Sequence, residues 1–274
     1  MLWAAPVNPG VTVNSGVWTQ IGNNCRGNGT GFCVADAIAD SYDGAAHLRV
    51  NGANYSASNP SDLTGNTYTG GAASMSGLDV SLQYTFLDST LMRALATFTN
   101  PTTGLISTSF EFESNSGADS SMQFVTTSSG DAIFSAADMW AVVDDGNLSG
   151  GDTSTLYVFF GPGAPSTPNA VFNTTTFVGA GNQGVRAQFN LDVAAGQTLR
   201  YLFFLGLDNT AAGATALAQQ FNSNPGPALL GGLSPSELNS IQNFNFGVSE
   251  IPEPSTVAMA AAGLVALLAL RRRR

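Results

Sequence analysis

Val185-Arg186-Ala187-Gln188-Phe189-Asn190-Leu191-Asp192-Val193 decides the fold: every odd position is apolar and every even one polar. A period of two places alternate side chains on opposite faces, so this stretch reads as a half-buried β-strand. Leu78-Asp79-Val80-Ser81-Leu82-Gln83-Tyr84-Thr85-Phe86 repeats the pattern, and Ile106–Glu113 follows it with Phe110 and Phe112 inward and Glu111 and Glu113 outward. Ala194-Ala195-Gly196-Gln197-Thr198 reads as a turn, after which Leu199–Leu207 runs back as a strand. Tyr201–Leu205 is nearly all apolar, which predicts cover on both faces. Further strands are expected at Val11–Ile21, His47–Val50, Leu91–Thr99, Gln123–Thr126, Trp140–Val143 and Leu156–Phe160. Short strands divided by Gly, Asn and Ser turns, with no βαβ rhythm and no fixed-period repeat, predict an all-β antiparallel β-sandwich.

Composition agrees. The 274 residues are 43% hydrophobic, enough for a sizeable core, but only 10% charged, against roughly 25% in ordinary soluble domains. There is no lysine, and four of the nine basic residues are Arg271–Arg274. Without that end, five basic residues face nineteen acidic ones, a formal charge of −14. Such a body repels nucleic acid, so no nucleic-acid partner is expected. Cys25 and Cys33 flank a Gly- and Asn-rich turn, and a disulfide between them would suit an oxidising compartment, with free thiols as the alternative.

One or two short helices are expected late in the chain. Ala211–Asn222 is Ala-rich, and Ser234-Pro235-Ser236-Glu237 forms a capping box that opens a helix through about Gln242, burying Leu238 and Ile241.

Catalytic machinery is sparse. His47, the only histidine, falls on the polar face of His47-Leu48-Arg49-Val50 and reads as exposed. Glu111 and Glu113 share a strand face about 7 Å apart, within reach of a glycosidase pair, yet that face reads as solvated. Without lysine no P-loop exists, and Gly179–Gly184 reads as a hairpin loop. The chain is therefore expected not to be an enzyme and to carry no cofactor or metal. Asp144, Asp145, Asn147 and Asp152, in an acidic Gly-rich loop, are weak calcium candidates whose alternative is a simple turn. Trp18, Tyr42, Tyr55, Tyr68 and Trp140 are candidates for a sugar-stacking platform and equally for the core.

The chain divides into a start at 1–8, a body at 9–246, a linker at 247–254 and a terminal segment at 255–274. The start, MLWAAPV and Asn8, reads as the remnant of a signal peptide truncated upstream. In the linker Pro252-Glu253-Pro254 cannot join a helix or a central strand, so it is extended and accessible. Val257–Leu270, including Leu264 and Leu267, has no charge, and Arg271, Arg272, Arg273 and Arg274 close the chain. An apolar helix of this length approaches a bilayer span once flanking residues and snorkelling arginines are included, and the positive end stays cytoplasmic. A single C-terminal transmembrane helix is expected after the sandwich.

These parts, in this order at the end of the chain, resemble the PEP-CTERM sorting domain; the resemblance covers about Ile251–Arg274 and nothing upstream. It implies that a membrane-embedded exosortase recognises Pro252, Glu253 and Pro254 and that the inner membrane of a Gram-negative bacterium holds the protein transiently. It further implies an exported product at the cell surface or outside, in company with biofilm exopolysaccharide. The expected role is an envelope or matrix protein, the alternative a carbohydrate-binding module acting on exopolysaccharide.

Overall fold

The computed structural model describes residues 21–22, 33–34, 41–42, 44–56, 62–64, 66–148, 152–176 and 183–246. Within them two antiparallel sheets pack face to face. The first contains β1 (Ile21–Gly22), β2 (Cys33–Val34), β3 (Gly44–Val50), β4 (Ala53–Asn54), β10 (Ile106–Asn115), β14 (Ala170–Thr174) and β15 (Gln183–Val193). Its order is β1-β2-β3-β10-β15-β14, with β4 beside β3. The second contains β5 (Asp62–Thr64), β6 (Thr67–Thr69), β7 (Ala73–Met75), β8 (Leu78–Phe86), β9 (Leu91–Thr99), β11 (Gln123–Thr127), β12 (Trp140–Asp144), β13 (Ser154–Val158) and β16 (Thr198–Asp208). Its order is β11-β12-β13-β16-β9-β8-β6-β5, with β7 beside β8. The strand expected over Val11–Ile21 falls almost wholly outside the described residues.

The strands form where period-two patterning presents an apolar face. In β8 the even positions are buried and the odd ones are half-buried or exposed. In β15 Val185, Ala187, Phe189, Leu191 and Val193 are buried. The inter-sheet core is largely aromatic: Phe110 stacks on Phe189 at 5.0 Å, Phe112 on Phe203 at 3.9 Å, and Tyr201 meets Phe110 edge-on at 4.6 Å. Offset and T-shaped rings add attraction beyond the area they bury.

The turn after β15 exists, with Gly196 at φ +69 and Gln197 donating to the Ala194 carbonyl. It does not make a hairpin. β15 pairs with β10 and β14, whereas β16 pairs with β9 and β13, so the turn is an arch between sheets. The β9–β10 connection crosses in the same way. Buried Asn100 ties the two arches together: its amide donates to Gly104 and Val193 carbonyls, its N–H to Gln197, and its carbonyl accepts from Gly196. Such buried polar backbone needs these bonds.

β16 is covered on both sides, as its apolar run predicts. Tyr201, Phe203 and Leu205 enter the inter-sheet core, while Leu202 and Phe204 face outward. The outer cover is helical, comprising α1 (Ala211–Ala218), a 3-10 turn over Gln219–Asn222, α2 (Pro227–Leu230) and α3 (Pro235–Ser240). Ala214, Ala218, Phe221, Ile241 and Phe244 pack there against Leu91, Leu95, Trp140, Val142, Leu156 and Val158. The capping box is complete: Ser234 Oγ accepts from Glu237 N, and Ser234 N donates to Glu237 at 2.8 Å. α3 stops at Ser240, because Ile241 turns extended and bridges in parallel to Arg200 of β16. Ile241 is buried and Leu238 half-buried. The segment 255–274 lies outside the described residues; among the described ones no helix is long and apolar enough to cross a membrane.

Candidate functional site

The outer face of the first sheet carries a row of charge. Pairing sets Glu113 opposite His47 and Arg186, and Glu111 opposite Arg49. Glu111 accepts from Arg49 at 2.7 Å and from Arg186 at 3.2 Å. Glu113 bonds His47 Nδ1 at 3.0 Å and accepts from Thr176 N at 2.8 Å and from the Thr176 hydroxyl. Burial alone would push the Glu113 carboxyl up, but the bonds from His47 and Thr176 together hold it below the usual carboxylate range.

The structure departs from the sequence expectation for His47, Glu111 and Glu113. His47 and Glu113 are not on a solvated face; both are 0% exposed. Alternation did assign them to the face opposite the core, but Thr176, from the segment after β14, lies over that end of it. A bulge contributes as well: Ala46 adopts φ +58, held by Ser114 Oγ on its N–H and by the Tyr84 hydroxyl on its carbonyl. The pairing slips between Glu113 and Asn115 as a result. Glu111 is only part-exposed and is clamped between two arginines. The Glu111 carboxylate is thus engaged by Arg49 and Arg186, and the Glu113 carboxylate by His47 and Thr176.

The acidic loop after β12 uses its oxygens internally. Asp144 accepts from Gly146 N and the Ser154 hydroxyl, and Asp145 accepts from the N–H groups of Asn147 and Asp152. Burial and the neighbouring Asp145 carboxyl push Asp144 up, with the Ser154 hydroxyl opposing, while the Asn147 N–H holds Asp145 down. Among the described residues no cluster of three or more His, Cys, Asp or Glu converges as metal ligands.

The proposed aromatic platform does not form. Tyr42, Tyr55, Tyr68 and Trp140 are buried, with the Tyr42 hydroxyl on the Gly206 carbonyl at 2.8 Å and Trp140 Nε1 on Asn222 at 3.0 Å. Trp18 lies outside the described residues, as do Cys25 and the side chain of Cys33. A different aromatic group converges instead. Phe124 of β11, Phe134 of the following loop and Phe172 of β14 line a cleft of about 380 Å³ with Ala132, Ile133, Val171 and Asn173. β11 and β14 are the terminal strands of the two sheets, so the cleft opens along one edge of the sandwich. Phe124 stacks on Phe134 at 5.4 Å, and Phe134 contacts buried Phe159 at 5.5 Å, rooting the rings in the core. The Arg186 guanidinium lies 4.0 Å from the Phe172 centroid. Asp138 braces the loop by accepting from Ser129 N and from Ser135 N and Oγ, and Asp131 accepts from Ile133 N. Ile133 is thereby held 74% exposed at the rim. The first and last of the three phenylalanines lie 48 positions apart in the chain, and only the sheet edges bring them together.

The chain's end completes the candidate features. Asn243 is fully buried, accepts from Leu202 N at 2.7 Å and donates to the carbonyls of Phe159 at 2.7 Å and Leu202. Phe244 packs beneath the helical cover. Phe244 lies eight residues before Pro252.

Residues 250–274 match the PEP-CTERM protein-sorting motif. The motif implies export with processing by an exosortase at the membrane, and it covers all of Pro252, Glu253, Pro254 and the Arg271–Arg274 end. No curated protein sequence matches the chain. Among solved structures it is similar to a heparinase III, at 12% identity and TM-score 0.39, over 60% of this chain and 24% of that one. It is also similar to a polysaccharide lyase, at 8% identity and TM-score 0.40, over 66% and 29%. A third is a galactose mutarotase-like protein from Lactobacillus casei, at 10% identity and TM-score 0.35, over 62% and 82%. The chain spans about a quarter of the length of the heparinase. Overlaps this partial carry no functional argument.

Proposed function

We propose that the protein is a non-enzymatic component of the bacterial cell surface or extracellular matrix, delivered there by exosortase processing of its tail. The observation that carries this reading is the sorting motif at residues 250–274. The body supports it by what its polar groups do. Its one histidine is buried against Glu113, and Glu111 is neutralised by Arg49 and Arg186. These carboxylates hold strands together. Changing Pro252, Glu253 and Pro254 together to alanine tests the reading: the variant is expected to accumulate in the inner membrane, and normal delivery to the surface would overturn it.

A second reading is favoured by one specific observation, the phenylalanine-lined cleft between β11 and β14. On it the protein is a carbohydrate-binding module acting on exopolysaccharide. Retention of the protein on polysaccharide, measured as slowed migration in a gel that contains it, separates this reading from a purely structural role.

A further inference from the structure

Resting on that second reading, we infer that the cleft between the two sheet edges grips an uncharged glycan, through Phe124, Phe134, Phe172, Ile133 and Asn173. Charge makes the first selection. Seven residues line the cleft, and none is ionisable. The chain around it carries a formal charge of −10, so an anionic polymer is repelled at long range, and the Arg186 guanidinium beside Phe172 is already paired with Glu111. For a cationic ligand the adjoining carboxylate is Asp131, whose Oδ1 is already taken by Ile133 N and the Thr127 hydroxyl. The occupant is neutral.

Backbone geometry makes the second selection. Both edge strands border the cleft, and an exposed edge ordinarily invites an extended peptide or a second copy to add as a strand. Here each edge is broken at the cleft itself: pairing shifts between Phe124 and Thr126 in β11, and between Phe172 and Thr174 in β14. A bulge interrupts the row of evenly spaced N–H and C=O groups that strand addition needs, and it re-aims the side chains around it. What remains suits a sugar. Aromatic rings meet the C–H face of a pyranose, and the exposed amide of Asn173 and hydroxyl of Thr174 answer its O–H groups. At about 380 Å³ the cleft lies at the small end of ligand sites, so it grips a short stretch of a chain whose remainder stays outside. The ring column down to Phe159 and the Asp138-braced loop keep the walls set before binding, which lowers the entropy cost of association.

The test is affinity electrophoresis of the full-length protein in mild detergent. Separate gels contain dextran, hydroxyethylcellulose, galactomannan or alginate. Ile133→Ser, Asn173→Ala and Phe172→Ala are compared with Leu105→Ser, a control at an equally bare apolar residue outside the cleft lining (65% exposed). Ile133 and Asn173 are exposed, so those variants keep the fold even where Phe172→Ala does not. Retardation by a neutral polysaccharide, weakened at least five-fold in the cleft variants and unchanged in Leu105→Ser, with none by alginate, is the expected result. Retardation that survives the cleft variants, or that alginate produces best, overturns the cleft assignment and leaves glycan binding standing. No retardation in any gel overturns both. In that case, sedimentation showing a self-association lost in Ile133→Ser identifies the cleft as a contact between copies.

Discussion

Single residues carry the points where this sandwich is least tolerant. Glu113 is buried with His47, and removing one partner of a buried pair leaves the other group uncompensated. Glu113→Ala is therefore expected to cost about 3 kcal/mol in urea unfolding. The same residue sets an acid dependence. Its folded pKa lies below the ordinary value, so its contribution is complete above the unfolded pKa and disappears as pH falls through the folded one. Thermal unfolding between about pH 5 and pH 3 should show wild type losing stability that Glu113→Gln never had. Equal acid slopes would contradict the assignment. Gly184 is a second such point. A Cβ there would sit 2.2 Å from the Ser114 carbonyl oxygen, in backbone that cannot retreat. Gly184→Ala is expected to open the β10–β15 pairing at a cost of about 3 kcal/mol, the upper end of overpacking penalties. A urea midpoint matching wild type would contradict it.

Among the elements, the C-terminal strap is anchored to the body through Asn243 and Phe244. Asn243 replaces strand pairing where residues 240–246 run beside β16, satisfying backbone groups that water cannot reach. Asn243→Ala is expected to lower stability by about 3 kcal/mol and to loosen the helical cover, seen as faster hydrogen exchange in α3. This scale also shows what the chain alone reveals. β8 runs from Leu78 to Phe86, the bounds its alternation predicts, because one face is core and the pattern records that directly; β9 keeps the expected bounds, Leu91 to Thr99, with both faces covered. α3 begins where Ser234 and Glu237 place it, since capping is local chemistry. α2 carries no such signal. The Ala194–Thr198 turn is legible as a turn but not as an arch, because only long-range pairing decides which sheet β16 joins. Alternation places His47 and Glu113 on the correct face but not their burial, since a period of two cannot see what covers a sheet's outer side. Phe124, Phe134 and Phe172 carry no signal in the sequence, because a site at the junction of two sheet edges leaves no spacing.

At the scale of the molecule, an acidic body and a cationic tail are joined by a short tether. From Phe246, the last described residue, to Pro252 an extended chain reaches about 20 Å. The described strap ends at Phe246, before the sorting motif at 250–274, so cleavage within the motif leaves every strap contact described above in place. The melting temperature of the body is expected to be the same before and after loss of the tail, and a fall of several degrees would mean that the tail packs on it. Delivery by processing is tested by intact mass spectrometry of the protein from cells with and without an exosortase. A mature protein lacking Arg271–Arg274 and the apolar segment is expected in the first strain, and the uncut chain in the second. The complete tail present in both strains would contradict it.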